Sequence, residues 1–328
     1  MEQAAAQPRE TVTRSTFLRR EAVPLLLFAL LALVPVIARH FAESYLLALL
    51  SRTMVFAIAA LSLDLILGYG ALVSFGHAAF LGFGAYSAGI LAAHGIADAT
   101  LQLPLALASS AVFAAVTGAL SLRTKGVYFI MITLAFGQMA FFLAVSLAAY
   151  GGDDGMTLPG RSRLFGLPLL EDDRALYALI FLALGGSYLL SRSLVISRFG
   201  RVIRGARENP QRMAAIGFPL FRYQLTMYVI AGTMCGLAGF LFANQTGFVS
   251  PAYMTWQRSG ELIVMVVLGG LGSLHGAILG AAAFLLLEEW LPDFTEHWKM
   301  IFGPFLVLVV LFARGGLLGA LRRIGGRG

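Results

Sequence analysis

This 328-residue chain has a single cysteine, two lysines and a charged fraction of only 12%. Each shortage excludes something. Soluble domains carry about 25% charged residues. A chain with 59% hydrophobic residues and a mean hydropathy of +0.81 is therefore an integral membrane protein. The lone Cys235 excludes an intrachain disulfide and a cysteine-cluster metal site, and in its Gly-rich apolar run it reads as a packing residue. A P-loop needs Gly-Lys-Ser/Thr. Lys125 in Thr-Lys-Gly and Lys299 in Trp-Lys-Met do not supply one, so ATP is not bound through that motif. There is no HExxH, no GxSxG and no histidine cluster, so no catalytic or metal-ligating set assembles. The net charge of +7 does not imply nucleic acid, because the arginines sit in short loops between apolar segments.

What the chain does have is a series of apolar runs. A spanning helix needs about 20 apolar residues, roughly 17–25. On that scale the segments are Ala22–Ala38, Tyr45–Leu67, Ala71–Ala93, Leu103–Leu122, Val127–Ala149, Ala175–Ser193, Tyr223–Ala243, Glu261–Leu271, Gly276–Leu291 and Trp298–Ala313. The expectation is an all-α polytopic membrane protein of about ten transmembrane helices, two of them short enough to be tilted, broken or re-entrant. Arg39 and His40 follow the first segment in place of a small-residue cleavage site, so it reads as a retained helix. With the N-terminus inside, 17 of the 24 Lys/Arg fall in inside segments, while acids such as Asp153, Asp154 and Asp172 collect outside. Both termini are then cytoplasmic. The division is a tail over 1–21, a transmembrane region over 22–313 with an outer loop at 150–174, and a basic Gly-rich tail over 314–328.

Ser197–Leu220 is the longest polar interruption, carrying Arg198, Arg201, Arg204, Arg207 and Arg212. Arg201–Glu208 is helix-compatible, Asn209-Pro210 breaks it, and Gln211–Ile216 can form another turn or two. A short helix along the inner membrane face suits the docking of a cytoplasmic partner. A solvated basic face, satisfying the positive-inside rule and nothing more, is the plainer reading.

Two stretches are rich in glycine: Gly68–Gly89, with Ser74 and His77 in its middle, and Gly269–Gly280, with Ser273 and His275. Paired Gly-interrupted segments point to a transport pathway, although small residues also simply let helices approach closely. His77 and His275 read as proton-relay groups or ligands or, more ordinarily, as histidines bonded to backbone near helix ends. Arg52 and Asp64 share the second segment but stand about 18 Å apart along a helix, too far to pair. Glu288 and Glu289 read as interfacial. No span carries the charge series of an ion-coupled carrier. A pore component driven by a separate ATPase accounts for the basic interruption, the broken spans and the missing motifs together.

Leu61–Leu91 (LSLDLILGYGALVSFGHAAFLGFGAYSAGIL) resembles the N-terminal signature of the branched-chain amino acid permease family of bacterial ABC importers. Gly126–Met139 and GGDDGM at Gly151–Met156 are similar to its LivM branch. Phe199–Phe218, Cys235–Leu241, Val249–Pro251 and Val266–Ala281 extend the resemblance over Ala22–Ala313. It implies a multi-pass protein of the bacterial inner membrane, working with a second, LivH-type permease, two cytoplasmic ABC ATPases and a periplasmic substrate-binding protein. ATP and Mg would be bound by the ATPases, leaving this chain without a cofactor of its own and without enzymatic activity. Residues 198–220 become the coupling loop, with Arg204, Arg207, Glu208, Asn209 and Gln211 at or near the ATPase. Tyr223 departs from the lysine expected in many relatives. Ser74, Gly76, His77, Thr133, Gln138, Gly270, Gly272 and Ser273 become candidates for the translocation path. Branched-chain amino acids are the expected substrates, with urea, short amides and aromatic or alicyclic carboxylates as alternatives. An ion-coupled secondary carrier is the runner-up class, and a membrane scaffold without transport the third.

Overall fold

In lipid every backbone polar group needs an internal partner, which favours helices in a chain this apolar. The computed structural model describes residues 27–35, 43–164 and 166–294, with 297, 300, 303–304, 315–317 and 319 beyond them. Helix α1 covers residues 27–35. The helices that follow are α2 (Glu43–Leu67), α3 (His77–Ala93), α4 (Ala99–Ser121), α5 (Val127–Ser146) and α6 (Asp173–Ile196). After them come α7 (Arg198–Glu208), α8 (Pro210–Ala215), α9 (Leu220–Thr246), α10 (Trp256–Gly269) and α11 (Leu274–Phe294). Six are long and apolar enough to cross a membrane: α2, α4, α5, α6, α9 and α11. Most of the segment expected at Trp298–Ala313, and most of both tails, lie outside the described residues.

The core is built on α9, which packs against α2, α3 and α4. Alternating small residues let α3 and α9 touch backbone to backbone: a Cβ on Gly84 would strike the Gly236 carbonyl, and one on Gly239 the Leu81 carbonyl. Glycine at these points permits a close approach that any side chain would block. Helix α2 is also central, with Val55–Leu63 almost wholly buried. By contrast α4 and α5 turn large apolar residues outward, among them Val112, Val116, Tyr128, Met131 and Phe142. That face suits lipid or another subunit.

One expected span is shortened. Ala71–Ala93 reads as continuous apolar sequence, yet its helix begins only at His77 and has 17 residues. Residues 68–76 form an irregular link in which Ala71 takes a left-handed backbone (φ 55°). Hydropathy does not report helix, and this apolar link is mostly half-buried, with Gly68, Ser74 and Gly76 buried and Ala71 exposed. The segment expected at Glu261–Leu271 begins a full turn earlier, at Trp256.

The 150–174 loop folds over one end of the bundle. Its β1 (Met156–Thr157) pairs antiparallel with β2 (Phe248–Val249). Ser162 fixes it further: its N–H donates to Asn244 Oδ1 at 2.8 Å and its hydroxyl to Gln102 Oε1 at 2.5 Å. Arg161 pairs with Asp173 at 2.7 Å. Gly151, Gly152 and Gly155 take positive φ, turn conformations that glycine adopts without a Cβ penalty.

Candidate functional site

The basic interruption forms two helices at the end of the bundle opposite the 150–174 loop. Ser197 starts α7 by accepting from the Gly200 N–H at 3.3 Å. Gly200, Val202, Ile203 and Ala206 form the face it buries. Pro210 cannot continue α7, and Asn209 turns the chain by capping α8, its Oδ1 accepting from the Arg212 N–H at 2.9 Å. The break expected at Asn209-Pro210 is therefore present, although α7 starts earlier than Arg201. No residue of α8 is buried. Glu208 and Gln211 are exposed. Tyr223 stacks on Phe199 (centroids 5.4 Å apart) and meets Phe218 edge-on at 6.1 Å. Where a lysine was expected, an aromatic cluster holds the loop to the start of α9.

Arginines of α7 reach inward. Arg204 donates to the Val195 carbonyl at 3.1 Å, and Arg207 donates to the Gly68 carbonyl. Gly68 opens the link between α2 and α3, and it abuts the turn between α10 and α11. A Cβ there would strike both the Asp64 carboxylate and the Gly272 nitrogen. Asp64 Oδ1 accepts from that Gly272 N–H at 2.8 Å, across 208 residues of sequence. Gly270 and Gly272 take φ values of 117° and 73°, and Ser273 starts α11 by accepting from the Gly276 N–H at 3.2 Å. Both glycine breaks thus meet at one point, and the basic loop is bonded to that point. Tyr69 lies beside it, its phenol pushed up by burial and, secondarily, by the Asp64 charge.

Such an arrangement ties an exposed loop to the turns of two helix pairs, and comparison with known proteins tells what kind of protein carries it. The family described as "Branched-chain amino acid transport system / permease component" matches residues 45–311. The chain belongs to this family. It is 30% identical over 289 residues, 81% of this chain and 68% of the relative, to the high-affinity branched-chain amino acid transport system permease protein LivM of Escherichia coli. LivM of Salmonella typhimurium is 29% identical over 82% of this chain and 68% of its own length. LivH of Escherichia coli is 26% identical over 51% of this chain and 53% of its own. No solved structure matches.

In this permease the remaining pathway candidates gather elsewhere. Gly76 packs on α5, where a Cβ would strike the Thr133 carbonyl. Thr133 Oγ1 accepts from the Phe75 N–H at 3.3 Å and donates to the Ile130 carbonyl at 2.9 Å. Ser74 is buried next to the Tyr228 phenol. His77 Nε2 stands 2.8 Å from Ser62 Oγ, so a side chain, not the expected backbone, holds this imidazole. Cys235, fully buried, points its Sγ at the His77 carbonyl at 3.6 Å. Gln138 lies off the buried stripe of α5, which runs through Thr133, Gly137, Ala140 and Ala144. Ser74, Gly76, His77 and Thr133 therefore form one packed group, Gly270, Gly272 and Ser273 another, and Gln138 joins neither. His275 Nδ1 lies 3.3 Å from the Tyr188 hydroxyl. Among the described residues no group of His, Cys, Asp and Glu is arranged to hold a metal ion.

Sequence reasoning noted Asp64 in the second segment but left it out of the site. Its signal was visible, a carboxylate inside an apolar span. Its partner was not, because nothing local connects it to Gly272.

Proposed function

We propose that this permease is the membrane subunit of a binding-protein-dependent ABC importer for branched-chain amino acids, forming the translocation path with a second, LivH-type permease. In this reading the end bearing α7 and α8 is cytoplasmic, in the inner membrane of a bacterium, and paired ABC ATPases that bind ATP and Mg dock there. Glu208, Gln211 and the outward side of α7 meet the ATPase, while Asn209 shapes the turn between the two helices. The observation that carries the reading is the junction of Arg207, Gly68, Asp64 and Gly272. A push on α7 is delivered to both glycine breaks at once, which is what coupling ATP hydrolysis to a change of access requires. The substrate assignment is supported by the LivM and LivH relatives, permease proteins of high-affinity branched-chain amino acid transport systems.

The test is to solubilise native membranes gently, recover the tagged chain and identify what comes with it by mass spectrometry. A P-loop ATPase together with a second, similar permease is expected, as is vanadate-sensitive uptake of L-leucine. Recovery of this chain alone, active in liposomes without ATP, would overturn the reading in favour of an ion-coupled carrier.

A further inference from the structure

Four charges from three helices meet towards the other end of α2. Arg52 Nη2 lies 3.4 Å from Glu288 Oε2, linking α2 to α11. Arg258 Nη1 lies 2.5 Å from Glu261 Oε2 on α10, and both Arg52 and Glu288 are close enough to act on the Glu261 carboxylate. Arg52 stands about 13 Å along α2 from Glu43 and Glu288 within the body of α11, whereas Arg258 lies in the first turn of α10. Their side chains keep between 24% and 33% of their exposure.

Half-open charges at that depth do not face lipid, because ionisable groups within spans turn to the bundle interior or to a water-filled cavity. The two pairs also differ. Arg258–Glu261 is closed on itself and braced by the Phe56 ring, 5.6 Å from the guanidinium. Arg52–Glu288 is a single long contact, where a settled charge-assisted bond measures about 2.7–2.9 Å. Among the described residues it leaves most of the five donors of the Arg52 guanidinium open to another acceptor. An aromatic cluster adjoins the charges: Phe242 meets Phe56 at 5.2 Å and Tyr253 at 4.9 Å.

We infer that the Arg52–Glu288 pair is a reception site for an apolar zwitterion, Arg52 taking its carboxylate, Glu288 its ammonium, and the half-buried Tyr253 ring, seated on the buried Phe242 and Phe56, lying against its aliphatic side chain. This rests on the importer reading and deepens it. The balance of signs selects the ligand class. A lone anion would leave Glu288 unpaired in a low-dielectric site, and a lone cation would leave Arg52 so, whereas a zwitterion replaces one stretched ion pair by two close ones.

The test uses the intact complex in proteoliposomes, with L-leucine, 4-methylpentanoate and 3-methylbutylamine as size-matched zwitterion, anion and cation. Only leucine should accumulate. R52Q and E288Q should each lower its uptake rate about tenfold or more at fixed concentration, with the complex recovered in wild-type amounts. The reversed pair R52E/E288R keeps an ion pair, so it should assemble normally and still fail to restore uptake. Restored uptake in the reversed pair, wild-type rates in the single variants, or equal flux of a singly charged analogue would overturn the site. Removing ATP tests the importer reading separately: leucine flux that persists without ATP sinks that reading, while the variant pattern still decides the site.

Discussion

The apolar span of helix α2, Tyr45–Leu67, carries two charges, Arg52 and Asp64, and the structure treats them oppositely. Asp64 is wholly buried and accepts from the backbone of the α10–α11 turn at 2.8 Å, with glycine on both sides leaving no room for slack. Arg52 is a third exposed and meets its partner at 3.4 Å. One end of the helix is closed by backbone geometry and the other is left adjustable by side chains. The difference matches the two roles proposed for them. A junction that transmits movement has to be stiff, because packed interiors are bistable and do not deform continuously. A site that exchanges partners has to stay open.

Substitutions sharpen the contrast, and the largest effect belongs to the closed end. G68V places a side chain on the Asp64 carboxylate and the Gly272 nitrogen. It should lower stability by about 3 kcal/mol, the upper range for overpacking, read as the unfolding midpoint in detergent. D64A removes the acceptor of the Gly272 N–H and should lower stability by about 2 kcal/mol. Next comes N209A, which strips the cap from α8 for about 1 kcal/mol, whereas N209S retains it. Equal loss in both Asn209 variants would separate Asn209 from capping. The smallest change is expected at the open end. R52L/E288L, an apolar replacement of both partners, should leave stability within about 1 kcal/mol of wild type while abolishing leucine uptake. A large stability loss there would erase the contrast between the two ends.

Much of the closed end was legible in the sequence. The Asn-Pro step and the dense arginines marked α7, the break and α8, because helix signals are local. The glycine breaks were equally plain as composition. That the breaks meet was not legible, since Asp64 and Gly272 find each other over 208 residues and Arg52 and Glu288 over 236. Local chemistry likewise misled at Ala71–Ala93, where residues 71–76 look like helix and belong to an irregular, mostly half-buried link. His77 was read against its own backbone, and its partner, Ser62, comes from the preceding helix.

The central claim is that the basic loop drives both glycine breaks through Arg207. The most direct measurement is the number of leucine molecules moved per ATP hydrolysed by the reconstituted complex, for wild type and for R207Q. The account predicts a ratio that falls several-fold in R207Q, because ATP is consumed while the junction no longer follows α7. An unchanged ratio, with uptake intact, would contradict it.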